Sequence, residues 1–144
     1  MIPEFTELGL LPKGIHEASF EEFESRFSFS VRRKQLIVGL KLAMVHLKEM
    51  GCEAIFIDGS FVTSKYRPGD FDAAWSVDGL DFEEAIQIHP VFGDFSNERK
   101  NQKAIYGGEF FPAQFTESSS GEPFLTFFQE TKDNLPKGIV KLRI

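Results

Sequence analysis

The hydrophobic pattern of the chain changes its period at Gly51. Before it, over residues 31–50, apolar side chains recur at helical spacing along a stripe of Leu36, Leu40, Ala43 and Leu47. After it, residues 53–58 form a short continuous apolar run, which is typical of a strand buried on both faces. The glycine stands where a left-handed helix cap is expected. This pattern predicts a mixed α/β domain, with helices packed against a small sheet.

Further elements can be assigned before and after this helix and strand. Ser19 and Glu22 form a capping box, which predicts a helix over residues 20–27. Residues 70–77 begin with strict alternation, which places Phe71, Ala73 and Trp75 on one face of a strand. The other predicted elements are an irregular N-terminal arm at 1–18, helices at 81–88, 96–104 and 123–132, a strand at 108–111, a flexible loop at 116–123 and an edge strand at 138–144.

Composition excludes several classes of protein. The chain has 144 residues, enough for a single domain with its own core, and its 17 phenylalanines indicate a core rich in aromatic rings. One cysteine, Cys52, excludes an intrachain disulfide. We find neither a signal peptide nor a membrane-spanning run, and we expect a cytoplasmic protein. A net charge of −6 disfavours binding to extended nucleic acid. The three histidines show no metal-ligand spacing in the sequence.

The segment that suggests chemistry begins where the buried strand ends, at Gly59-Ser60. A glycine and a serine at this point allow a sharp turn whose backbone N–H groups and serine hydroxyl can face a phosphate. Thr63, Lys65 and Arg67 follow in the same loop and add hydrogen-bond donors and positive charge. The sequence therefore predicts nucleotide binding by these residues, although Thr63 could instead only stabilise the turn, and Lys65 and Arg67 could be ordinary exposed cations.

Two carboxylates follow on the next predicted strand. Asp70 and Asp72 are two positions apart, so strand geometry places both on one face, where their oxygens can share a divalent cation. Magnesium prefers such an all-oxygen site, particularly when phosphates supply further ligands. The alternative is that both aspartates are solvated on the exposed face of a strand.

Together these features resemble a known superfamily. A hydrophobic strand, Gly59-Ser60, a spacer of nine residues and Asp70-Phe71-Asp72 resemble the motif of DNA polymerase β-like nucleotidyltransferases. The opening 11–16 and the closing 136–140 also resemble a small bacterial group of nucleotidyltransferase-like proteins. The resemblance implies the minimal nucleotidyltransferase fold and two magnesium ions held by three carboxylates.

The resemblance also implies a third carboxylate on a later strand. Glu109, between Gly108 and two phenylalanines, is the best candidate, whereas Asp78 and Asp81 follow the second strand too closely and Asp94 precedes helix-like sequence. Glutamate departs from the aspartate usual in the family. Glu109 could equally be a surface residue beside two core phenylalanines.

Two functions remain open at this point. The first is magnesium-dependent transfer of a nucleoside monophosphate from an NTP, ATP first among them, to a hydroxyl of a protein, a small molecule or an RNA end. Transfer to protein would be similar to that of small nucleotidyltransferases that act as antitoxins. The second is an inactive module of the same fold that works through a protein partner. The position of Glu109 discriminates between them, because a shared pair of metal ions requires carboxylates within about 4–7 Å of one another.

Overall fold

The computed structural model describes all residues, 1–144, and they form one mixed five-stranded sheet with helices packed against it. The strands are β1 (Gly14–Ala18), β2 (Ala54–Asp58), β3 (Phe71–Trp75), β4 (Gly108–Pro112) and β5 (Gly138–Arg143), in the order β1-β5-β2-β3-β4. The outer pairs β1–β5 and β3–β4 are parallel, and the inner pairs β5–β2 and β2–β3 are antiparallel. The mixed α/β class expected from the sequence is confirmed.

Five helices accompany the sheet: α1 (Phe20–Phe27), α2 (Val31–Glu49), α3 (Phe82–Ile88), α4 (Ser96–Tyr106) and the single turn α5 (Phe124–Phe127). Ser19 and Gly51 cap their helices as predicted, but the carboxylate of Glu22 accepts from the backbone N–H of Ile2 at 2.8 Å and does not complete the capping box. The hydroxyl of Ser19 accepts a hydrogen bond from the backbone N–H of Glu22 at 3.1 Å, and Gly51 has a φ of +88° after the end of α2. No helix combines the length and the apolar character that crossing a membrane requires.

Three sequence predictions need correction. The N-terminal arm is not irregular throughout, because its residues 14–18 form β1, paired in parallel with β5. Strand β5 is not an edge strand, because it lies between β1 and β2 with Ile139 and Val140 buried on opposite faces. The helix expected over 123–132 is only the turn α5. For β1 and β5 the pairing partners are distant in sequence, so local periodicity could not indicate the pairing.

The two faces of the sheet have different roles. Helices α1 to α4 cover one face, where Phe71, Ala73 and Trp75 join the main core and confirm the predicted alternation of β3. The opposite face carries a smaller apolar cluster that includes Phe56 and Ala74, packed under residues 113–128. The polar residues of the same strands share this second face, so the fold presents them away from the helical layer.

Helix α2 packs closely against the end of α4 at Gly39. A Cβ built on Gly39 would lie 1.8 Å from the carbonyl oxygen of Tyr106. We therefore expect Gly39→Ala to destabilise the fold by about 2–3 kcal/mol despite the better helix propensity of alanine. Urea unfolding checks this. Gly69→Ala, whose Cβ would meet nothing within 4 Å, is the control and should change stability by less than about 0.5 kcal/mol. Equal stability of the two variants would contradict the packing argument.

Candidate functional site

A row of acidic side chains crosses the second face of the sheet. Asp72 on β3 is the register partner of Asp58 on β2 and of Glu109 on β4. Asp70 lies two residues before Asp72, immediately before the first residue of β3. One carboxylate oxygen from each of Asp70, Asp72 and Glu109 lies within 4.8 Å of the other two. The structure thus brings together the three carboxylates that the sequence singled out, at a separation that can share divalent cations.

Burial and mutual repulsion make this group costly to ionise without a cation. Burial, followed by the charges of Asp70, Glu109 and Asp58, raises the pKa of Asp72 to about 7, and Lys137 opposes the shift. Burial is also the main cause that raises the pKa of Asp58. A bound divalent cation would relieve both causes, because it replaces lost hydration and offsets the negative charge.

Asp70 is less buried than Asp72 and lies among several cations. Its pKa is raised by burial and by Glu109, while the positive charges of Lys103, Arg32 and Lys65 act in the opposite direction. Lys65 is exposed but close enough to contribute to the field at Asp70. Its predicted position near an anionic ligand is therefore compatible with the structure.

Two cations from α4 contact Glu109, and sequence reasoning missed both. Arg99 Nε lies 2.5 Å from one carboxylate oxygen and Lys103 Nζ lies 3.4 Å from the other. Arg99 is the last of three consecutive residues, 97–99, with positive φ, a conformation that is unfavourable for side chains other than glycine. In the sequence, the only signal for these two cations was the spacing of four residues between Arg99 and Lys103, just before β4.

The turn after β2 approaches the carboxylates closely. Gly59 has a φ of +80°, and a Cβ at this position would lie 2.6 Å from Asp72 Oδ2. Ser60 follows in a one-turn 3-10 helix, Gly59–Val62, and is half-buried. The Thr63 hydroxyl donates to the Ser60 carbonyl at 2.7 Å, so in this structure Thr63 stabilises the turn. Arg67 is exposed and forms no ion pair.

A buried arginine that the sequence did not reveal holds the loop after Gly59 in place. The side chain of Arg33, on α2, is fully buried. Its guanidinium donates to four carbonyls of this loop, those of Ser60 at 3.4 Å, Phe61 at 2.6 Å, Thr63 at 2.8 Å and Lys65 at 2.7 Å. Burial lowers its pKa to about 10, so it remains charged at neutral pH. Arg33 therefore fixes the loop that borders the carboxylates.

A cavity of about 390 Å³ opens beside Asp58 and Asp72. Its remaining lining comes from Phe111 and from the segment before β5: Ser120, Glu122, Phe127, Phe128, Glu130, Thr131, Lys132, Asn134 and Lys137. Lys137 Nζ lies 2.9 Å from Asp58 Oδ1, so one cation already faces the acidic row from the cavity. The sequence did not place Lys137 or this segment at the site. Only the return of the chain into β5 brings them next to the carboxylates.

The clash at Gly59 leads to a test of this geometry. Gly59→Ala should place a methyl group against Asp72, displace that carboxylate and lower stability by about 2 kcal/mol or more, because strain at positive φ adds to overpacking. Gly79→Ala is the matched control, since Gly79 has a φ of +76° with nothing within 4 Å of its Cβ position. Thermal unfolding should show a larger loss for Gly59→Ala. Equal losses would mean that the approach to Asp72 is unimportant.

Comparison with known proteins identifies the family. Residues 3–143 match the model of a family of unknown function, DUF6932, and the chain belongs to this family. No curated protein matches the chain, and no solved structure matches it.

Proposed function

We propose that this member of a family of unknown function is a magnesium-dependent nucleotidyltransferase that moves a nucleoside monophosphate from an NTP to a hydroxyl acceptor. The observation that carries the proposal is the convergence of Asp70, Asp72 and Glu109 within 4.8 Å. The resemblance of the Gly-Ser turn and the Asp-x-Asp strand to the DNA polymerase β-like superfamily, also a proposal here, supplies the reaction.

The donor set fits magnesium. All three groups are carboxylates, and hard oxygen ligands with room for water and phosphate oxygens are what Mg²⁺ prefers. Asp72 is disfavoured as a bare anion, as its pKa of about 7 indicates. The chemistry supplied by two bound ions is activation of the acceptor hydroxyl and neutralisation of charge at the α-phosphate.

The residues of the chain then have distinct tasks. Asp70, Asp72 and Glu109 would hold the ions, while Gly59 and Ser60 would face the β- and γ-phosphates. Arg99 and Lys103 contact Glu109 in the present structure, and they lie where they could turn to phosphate oxygens when cations take over the carboxylate. Lys65 adds positive charge near Asp70.

The cavity gives the substrate a place beside these groups. About 390 Å³ lies within the range usual for small-molecule sites. Its phenylalanine rings suit a base or another flat apolar group, and Lys132 and Lys137 suit anionic groups. The acceptor class stays open among a protein hydroxyl, a small molecule and an RNA end. The net charge of −6 disfavours a long nucleic-acid track.

Calorimetric titration of MgATP and the other NTPs tests the proposal. We expect magnesium-dependent binding to the wild type and none to Asp70→Asn/Asp72→Asn. Asp78→Asn, which changes an exposed acid shortly after β3, is the matched control and should bind like the wild type. If a folded wild type binds no NTP, or if the double variant binds as well as the wild type, the proposed function is wrong.

Removal of one hydroxyl should have a milder effect. Ser60→Ala should weaken MgATP binding by about 0.5–1.5 kcal/mol, the contribution of a single hydrogen bond. Ser64→Ala, in the exposed part of the same loop, should leave the affinity unchanged. The same titration measures both. Unchanged affinity in Ser60→Ala would exclude a phosphate contact by this hydroxyl.

A second candidate function is supported by the ion pairs of Glu109. Both of its carboxylate oxygens already have cationic partners, and an inactive relative that acts through a protein partner could retain such internal neutralisation. The two functions differ in the titration, because the inactive module would show no magnesium-dependent NTP binding. Glu109→Gln discriminates further: it should abolish NTP binding in the enzyme and only loosen α4 in the module.

A further inference from the structure

A second group of potential metal ligands lies on the helical side of the molecule. His46 and Glu49 are one turn apart on α2, and His89 follows the last residue of α3. One ligand atom from each of the three residues lies within 4.8 Å of the other two. A separation of 43 positions between the histidines explains why the sequence showed no ligand spacing.

The three side chains contact one another and are accessible to solvent. His89 Nε2 lies 3.1 Å from Glu49 Oε1, and the side chains of His89 and Glu49 are 23% and 56% exposed. The rings of His46 and His89 stack with centroids 4.3 Å apart. Two imidazoles and a carboxylate are thus held together where a cation from solvent can reach them.

A buried hydroxyl supports one of these ligands from behind. Tyr106 is 2% exposed, and its hydroxyl lies 2.8 Å from His46 Nδ1. Metal-bound histidines ordinarily have such an outer partner on the ring nitrogen that does not bind the ion. The contact leaves His46 Nε2 as the atom available to a metal.

We propose that His46, Glu49 and His89 form a binding site for Zn²⁺ or a similar divalent metal ion. This site is separate from the carboxylate site on the sheet. Two histidines and one glutamate are a known three-ligand set for zinc, with water in the fourth position. Imidazole nitrogens favour zinc over magnesium, so the two sites select different cations.

Binding requires a local movement. Stacked imidazole rings direct their lone pairs side by side, so His89 must rotate out of the stack before both rings can point at one ion. His89 lies at the end of α3 and is partly exposed, which leaves room for that rotation. The bound ion would join α2 to the end of α3 and, through Tyr106, to α4. The site would therefore stabilise the helical layer by mass action.

Titration with Co²⁺ in the presence of excess Mg²⁺ tests the proposal. Co²⁺ substitutes for Zn²⁺ and reports its coordination by visible absorption, while Mg²⁺ occupies the carboxylate site. We expect one Co²⁺ per chain with the intense spectrum of low coordination, displaced by Zn²⁺. Asp70→Asn/Asp72→Asn should give the same spectrum, which separates this site from the proposed nucleotidyltransferase function.

Variants identify the ligands. His89→Ala and Glu49→Gln, both on partly exposed side chains, should abolish the spectrum or weaken Co²⁺ binding at least about tenfold, and Tyr106→Phe should weaken it by about 10-fold through its effect on His46. His16→Gln, outside the group, should bind like the wild type. Absence of a spectrum in folded wild type, or an unchanged spectrum in His89→Ala, would overturn the proposal.

Discussion

Asp72→Asn should stabilise the metal-free protein at neutral pH and remove its response to magnesium. The unperturbed pKa is 3.8 and that of the folded state is about 7, so the folded protein holds this proton more tightly than the unfolded chain. The resulting stability is present below pH 4 and is lost as the pH rises through about 7. At about 1.4 kcal/mol per pKa unit, the ionised carboxyl costs roughly 2–4 kcal/mol, which asparagine avoids.

Urea unfolding at acid and neutral pH, with and without Mg²⁺, measures this effect. Wild type and Asp72→Asn should have similar stability at about pH 4. At pH 7.5 the variant should be more stable, and added Mg²⁺ should raise the stability of the wild type only. Asp78→Asn should follow the wild type throughout, because Asp78 is exposed. A variant that is no more stable than the wild type at pH 7.5, or that keeps the magnesium response, would contradict the role of Asp72.

Arg33→Met should be the most destabilising single change, at about 3–5 kcal/mol. The guanidinium is fully buried and donates to five carbonyls, those of Phe27, Ser60, Phe61, Thr63 and Lys65. Methionine fills part of the volume but leaves the carbonyls of Phe61, Thr63 and Lys65 without this donor. Each buried polar group without a partner costs about 1–3 kcal/mol. The loop after Gly59 should loosen, so magnesium-dependent ligand binding should weaken as well.

Lys34→Met is the matched control, because Lys34 is the next residue of α2 and is exposed. Its stability should stay within about 0.5 kcal/mol of the wild type. Limited proteolysis of the Arg33→Met variant should cut first in the loop at 60–69. If Arg33→Met unfolds at the same urea concentration as the wild type, the arginine does not organise this loop.

Local signals explain which parts of the fold could be predicted. Capping by Ser19, the stripe along α2 and the alternation of β3 depend on neighbours in sequence, and each appears in the structure. Glu109 was singled out through the family resemblance and not by a local signal, because the parallel pairing of β3 with β4 that puts it in register with Asp72 joins segments far apart in sequence.

Long-range contacts explain what could not be predicted. In the sequence Arg33 is one of several cations on α2, and only the packing of that helix against the loop after β2 buries its guanidinium among carbonyl groups. Lys137 reaches Asp58 because β5 enters the middle of the sheet, which its alternating sequence did not indicate. Neither feature has a local pattern, so a single sequence contains no signal for it.

The most direct test is to locate the metal. Crystals grown with Mn²⁺ and a non-hydrolysable ATP analogue would give anomalous diffraction from Mn²⁺, which substitutes for Mg²⁺. The account predicts manganese peaks between Asp70, Asp72 and Glu109, with triphosphate next to Gly59-Ser60 and Arg99 released from Glu109. Nucleotide bound elsewhere, or Glu109 still paired with Arg99 and no manganese at the three carboxylates, would contradict it.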